Sequence, residues 1–280
     1  MFEYEFMRSA FLAGGIVAII CGAVGVFLVL RQLAFAGHAL SHVGFAGAAG
    51  SVLVGVTPLW GLVAFTLAAA IAMGLLGERL RGRDVAVGVI LSLALALGVL
   101  FLSLYTTHAT QATAILFGNV LGVASETVWV LAGLSVLSAA ALAIISRPLL
   151  FATLAPELAE AKGVSLRLVS VLFLAVVAIA VAEAAQVVGV LLVFALMVAP
   201  AATALRLTSR LPLSIALAVG LAVAETWLGI ALAYWTNAPT SFWIVLLGCV
   251  GYFLALVEGS VRAVPSGSRH ENRKAADSAA

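Results

Sequence analysis

The chain has 280 residues, of which 64% are apolar, and it carries only 14 basic and 12 acidic side chains. Charged residues make up 9% of it, against about 25% in an ordinary soluble domain, so there is too little polar surface to cover a globule in water. That excludes a soluble fold, and a net charge of +2 is too small to point to nucleic acid. Cys21 and Cys249 both sit in apolar runs; two thiols so far apart make neither a disulfide framework nor a thiolate metal site, and both are expected to be small core residues.

Apolar stretches of the length that crosses a bilayer as a helix fall at 10–30, 38–56, 58–77, 85–105, 126–146, 167–183, 186–205, 212–234 and 240–258. Nothing in the sequence resembles the short alternating segments of membrane strands. The expected fold class is therefore all-α, a polytopic transmembrane helix bundle of about nine spans. An eight-span arrangement stays open, because 106–126 could hold a short or re-entrant helix and only Ala184 and Ala185 separate two of the spans.

Basic residues orient the spans. With nine alternating spans, Arg31, the Arg79, Arg81 and Arg83 loop, Arg147, Lys162, Arg167, Arg206, Arg210, Arg262, Arg269, Arg273 and Lys274 share one side, and Arg8 alone lies on the other. Such a bias marks the cytoplasmic face, with the N-terminus outside and the C-terminus inside. Residues 1–9 hold Glu3 and Glu5 beside a single Arg8 and precede a long apolar run, so a cleavable signal is not expected. The organisation expected is a transmembrane domain over 1–258, interrupted by a cytoplasmic segment at 147–167, and a polar, disordered cytoplasmic tail over 259–280.

The segment RPLLFATLAPELAEAKGVSLR stands apart from the other loops. Pro156 suits a first helical position, Glu157 and Glu160 favour the first turn, and Gly163 can end a helix, which predicts a short helix over 156–162. So short a helix has to pack on something to persist. It is either an amphipathic connector lying on the membrane or a docking element for a cytoplasmic partner.

This segment resembles the coupling segment of the permease subunits of bacterial ABC transporters for divalent metals, the zinc, manganese and iron uptake group. Three further stretches match that family: GHALSHVGFAGAAG from Gly37, ILFGNVLG from Ile115, and VVGVLLVFALMVAPAATA from Val187. The four occur in the family's order, and the resemblance covers the chain from about residue 10 to 257. The resemblance implies that Pro156, Glu157, Leu158, Ala159 and Gly163 contact a separate ATP-binding subunit. It also implies an extracytoplasmic metal-binding protein as delivery partner, a permease homodimer, a bacterial cytoplasmic (inner) membrane, and a transported ion, Zn²⁺ or Mn²⁺, rather than a permanently bound cofactor. The chain itself has no Gly-rich phosphate loop followed by lysine, so any ATP would be hydrolysed on the partner.

His38 and His42 are the leading metal ligands. Four residues apart on one helix, they stack on one face, where two imidazoles can hold a borderline cation such as Zn²⁺. They could instead make only interhelical hydrogen bonds. In the family pattern the first position is commonly aspartate; a histidine there replaces an oxygen donor with a nitrogen and removes a charge, which favours zinc over manganese. Glu183 and Glu225 lie inside spans, where a carboxyl is costly enough that a cavity, partner or ion pathway is expected around it; they join the candidate metal ligands on that ground alone.

Gly44, Gly47 and Gly50 are expected to let neighbouring helices approach closely. Asn119 is expected to satisfy the backbone of a broken helix, and Pro200 to kink its span and serve as a hinge; both match family positions. His108 lies in an outer loop, where solvation is its ordinary fate. Trp129, Tyr234, Trp235 and Trp243 read as an interfacial belt. Besides the ATP-driven importer, a gradient-driven cation carrier or channel remains in play, and would transport without an ATPase. An intramembrane enzyme is disfavoured because HExxH and GxSxG are missing.

Overall fold

The computed structural model describes residues 4–76, 83–104 and 116–263. Arg79, Arg81, His108 and the expected tail from residue 264 onward lie outside the described residues. Those described form ten α-helices: α1 (Glu5–Leu30), α2 (Ala34–Leu53), α3 (Pro58–Leu76), α4 (Arg83–Ser103), α5 (Ser125–Leu154), α6 (Pro156–Ala161), α7 (Leu166–Val188), α8 (Val193–Leu207), α9 (Leu211–Thr236) and α10 (Thr240–Ala263). A single 3₁₀ turn, Val120–Gly122, precedes α5. An all-helical bundle is what lipid demands of an open chain, since a helix satisfies its own backbone polar groups where no water can.

Apart from α6, the helices fall where the nine spans are expected, and the differences have physical causes. Seven of them, α1, α3, α4, α5, α7, α9 and α10, are long and apolar enough to cross a membrane unaided. Two histidines and four glycines dilute the apolar content of α2, and α8 has only 15 residues, about 22 Å against the ~30 Å hydrocarbon core. The expected break at Ala184 and Ala185 is not there. Helix α7 runs through both alanines to Val188, and the chain breaks instead at Gly189, whose φ of 88° leaves the helical region. Helix α5 likewise continues through Pro148 to Leu154, so the start of the expected loop is helical.

Helices α1 and α7 form the interior. The most apolar windows of α1 and α7 are 72% and 67% buried, against 17% for α4 and 22% for α10. Helix α1 packs on α5, α7, α8 and α9, and α7 on α3, α5, α1 and α2. Thr66 of α3 shows how the buried helices are tied: its hydroxyl donates to Leu62 O of its own helix at 2.7 Å and to Ala178 O of α7 at 3.2 Å. Cys21 is buried as expected, but Cys249 is exposed on the peripheral α10 and is no core residue.

Helix α6 joins α5 to α7 as the tip of a hairpin. Gly163, at φ 82°, ends it, and Val164 N–H closes back on Ala159 O at 2.9 Å, the left-handed glycine stop that satisfies helix-end carbonyls. Pro156, Glu157 and Leu158 are exposed, whereas Ala159 is fully buried against the chain itself. Ala159 therefore anchors the helix against the rest of the chain.

Candidate metal pathway

Helix α2 presents two different faces. At 100° per residue, Gly47 lies about half a turn around the axis from His38. On the glycine side the backbone of α2 meets α3 directly: a Cβ on Gly47 would run into the Gly61 carbonyl oxygen and sit 2.7 Å from Phe65 Cβ. Gly44 faces Leu62 and Thr66, and Gly50 faces Phe101 of α4. These glycines pack α2 tightly against α3 and α4, as expected of small residues in a membrane bundle. The histidines are left on the other face.

His38 and His42 are both half-buried, and their rings meet edge to face with centroids 4.7 Å apart. Phe194, in the first turn of α8, lies edge to face on His38 at 5.3 Å. Among the described residues no group of three or more His, Cys, Asp or Glu side chains comes together. Glu183 and Glu225 thus do not complete the histidine pair.

Each acid has its own setting. Glu183, on α7, is wholly buried; the Ser135 hydroxyl of α5 donates to its Oε2, while Oε1 has no hydrogen-bond partner. The Ser138 hydroxyl, one turn along α5, is also buried and faces the same carboxyl. Glu225, on α9, is 7% exposed and lies against the bare backbone of α10: a Cβ on Gly248 would be 3.1 Å from Oε2 and 3.3 Å from Ala199 Cβ of α8. Both acids stand at helix junctions, Glu183 between α5 and α7, Glu225 among α8, α9 and α10.

The stretch from Leu116 and the break at Gly189 meet in space. Gly118, at φ 75°, and Gly189, at φ 88°, cross backbone to backbone; a Cβ on Gly118 would be 2.7 Å from Val187 O and one on Gly189 2.6 Å from Leu116 O. Leu191 N–H donates to Leu116 O at 3.2 Å, and the Ser241 hydroxyl of α10 donates to Phe117 O at 2.7 Å. This crossing stands in for the missing length of α8 and sets where that helix starts, and so where Phe194 meets His38. No local sequence signal marks Phe194, Ser241 or Gly189 as functional; the positive φ at Gly189 shows in the sequence only as a glycine in an apolar run. The Asn119 side chain makes no capping hydrogen bond to the turn it precedes and instead lies over Gly122, whose N–H donates to the Asn119 carbonyl at 3.0 Å. Pro200 is buried within α8.

The stretches that carry the family resemblance meet in pairs: those from Gly37 and Val187 at His38 and Phe194, and those from Ile115 and Val187 at the Gly118–Gly189 crossing. The sequence pattern of the ABC 3 transport family matches residues 3–259. The chain belongs to that family. It is 31% identical over 258 residues to the manganese transport system membrane protein MntC of Listeria innocua, covering 92% of each chain. With a probable iron transport system membrane protein of Haemophilus influenzae it shares 30% over 261 residues, covering 93% of this chain and 96% of the relative. In three dimensions it is similar to PsaBC from Streptococcus pneumoniae, solved in complex with Fab, with a TM-score of 0.81 at 27% identity over 97% of this chain and 96% of the other. The family member described here is a multi-pass membrane protein of the ABC transporter class.

Proposed function

We propose that this chain is the membrane-spanning permease of an ATP-driven importer for a divalent transition-metal ion, and that His38 and His42 are ligands on the ion's path. The observation that carries the reading is the half-exposed imidazole pair at the junction of the family's stretches. Histidines four apart on a helix chelate one ion without any change of backbone. Two nitrogens fill half of a tetrahedral zinc shell. A second copy of the chain, related by a two-fold axis, would supply an equivalent pair, which is why a homodimer belongs to the proposal. Nitrogen donors favour zinc over manganese, while the relatives named above are described for manganese and iron.

Coupling to ATP is assigned to the exposed side of α6. Pro156, Glu157 and Leu158 face outward, Leu158 being 54% exposed and Leu154, the last residue of α5, 79%. Such an apolar pair at the tip of a hairpin suits the cleft of a soluble subunit better than water. Alternating access would follow from movement of the α5–α6–α7 hairpin around the histidine pair. An extracytoplasmic binding protein would deliver the metal at the opposite end, the N-terminus lying outside as the basic residues imply.

Uptake of Zn²⁺, Mn²⁺ and Fe²⁺ by cells carrying the transporter tests this. His38→Ala and His42→Ala are each expected to cut uptake at least about tenfold, the scale of a lost ligand, and His38→Asp to shift preference toward Mn²⁺. Unchanged uptake in both alanine variants would refute the assignment. Transport that persists without ATP or an ATPase would favour the gradient-driven carrier instead.

A further inference from the structure

Arg8 is the one basic residue set apart from the other thirteen by the charge bias of the sequence, and nothing in the transport reading uses it. It lines a cleft of about 460 Å³ between the first turns of α1 and those of α5. Both helices start at the end of the bundle opposite α6, so the cleft opens at the far membrane surface from the hairpin tip.

The mouth of the cleft is polar and carries both signs of charge. Ser9 and Ser125 hydroxyls lie 3.3 Å apart and tie α1 to α5, and Ser125 donates to Glu5 Oε1 at 3.3 Å. Arg8 is exposed, and no ion pair joins it to Glu5 among the described residues. A cation and an anion thus stand side by side without neutralising one another. Below them the lining turns apolar, with Leu12 and Ile16 on α1 facing Val128 on α5. From Arg8 to Ile16 is eight residues, about 12 Å of helix. Trp129, 81% exposed, stands at the rim, the position where indole rings mark the headgroup level of a bilayer.

We propose that this cleft is a binding site for a zwitterionic phospholipid of the ethanolamine class. The guanidinium of Arg8 takes the phosphate, whose oxygens match its fork of donors. The carboxylate of Glu5 takes the ammonium, and one acyl chain lies along Leu12 and Ile16. Each neighbouring ligand class meets one of these features badly. An anionic glycerol headgroup brings no cation to Glu5, a choline headgroup has no N–H to donate to it, and free phosphate leaves the apolar trough empty. The site rests on the membrane reading of the chain and not on which ion it carries.

The test is native mass spectrometry of the purified full chain in detergent with added phosphatidylethanolamine, phosphatidylglycerol or phosphatidylcholine. The wild type is expected to retain the ethanolamine lipid about tenfold better than the other two. Arg8→Gln, at an exposed position where the fold has little to lose, is expected to abolish that preference, and Glu5→Gln to let phosphatidylglycerol compete equally. Thermal unfolding without lipid checks that both variants are folded. Equal retention of all three lipids, or an unchanged preference in Arg8→Gln, would overturn the proposal. So would protection from unfolding by inorganic phosphate or chain-free phosphoethanolamine as strong as that from the lipid, which would make the cleft an anion site. Retention of no lipid at all would leave the cleft to a protein partner and likewise overturn it.

Discussion

Replacing the buried acid Glu183 with leucine is expected to leave the protein as stable as before, or more so. The two side chains are close in volume, so the packing of α7 on α5 survives the change. A carboxyl in the bundle interior costs up to about 2.5–3.5 kcal/mol on membrane-insertion scales. The hydrogen bond from Ser135 returns about 0.5–3 kcal/mol, depending on the charge the carboxyl carries. Leucine deletes both terms, and the balance lies between no change and about 3 kcal/mol of added stability. The serines left behind have a fallback: Ser41, Ser51 and Ser146 already turn back onto carbonyls of their own helices at 2.7–2.9 Å. Alanine behaves differently, because it also empties the side-chain volume between α5 and α7 and is expected to cost about 2–4 kcal/mol. Glutamine keeps an acceptor for Ser135 and should stay close to the wild type. Thermal unfolding of the four proteins in one detergent gives the order: leucine at or above wild type and glutamine, with alanine lowest. A leucine variant as unstable as the alanine variant would show that the polar link, and not the packed volume, holds α5 to α7.

Four further substitutions separate steric, conformational and docking roles. Gly47→Ala puts a Cβ 2.7 Å from Phe65 Cβ, against about 3.4 Å for an ordinary contact, so α2 and α3 must part by more than half an ångström; a loss of about 1–3 kcal/mol in thermal unfolding is expected. Gly189→Ala meets both a positive φ and the Leu116 carbonyl at 2.6 Å, and should destabilise by more than about 3 kcal/mol, whereas Gly163→Ala, equally left-handed but in open space, should lose only about 1–2 kcal/mol. Leu158→Asp changes an exposed side chain and is expected to leave unfolding within about 0.5 kcal/mol of wild type while abolishing copurification with the ATP-binding subunit; retained copurification would refute the docking assignment for α6.

The helices were legible because lipid removes choices. An apolar run of bilayer length has to be a helix, so nine of the ten helices overlap runs that hydropathy marks. The tenth, α6, was legible from local chemistry alone: a proline to start, acids in the first turn, a glycine to stop. Hydropathy could not see the break at Gly189, because the residues around it are as apolar as a helix. What breaks the helix is a contact with Gly118 more than sixty residues earlier in the chain, and no local pattern records a partner at that distance. For the same reason the sequence overestimated Cys249 as core: apolar character does not tell the lipid face of a peripheral helix from the inside of the bundle.

Exposure sorts the polar residues that composition could only count. An ion must reach its ligands and leave them, so pathway groups cannot be sealed on every side. His38 and His42 are half-buried, while Glu183 and Glu225 are closed in at junctions of two or more helices. All four are equally anomalous in an apolar sequence, and equal anomaly made them equal candidates. The proposed function takes the histidines, and the glycines of α2 support that choice: by burying one face of that helix against α3 and α4, they leave both imidazoles on the opposite, half-buried face. Two nitrogens on an open surface are an incomplete shell, and the residue set that would complete it is absent among the described residues of one chain. The same stretch of sequence therefore accounts for the close packing of α2 and, under the proposed function, for the second copy that the importer calls for.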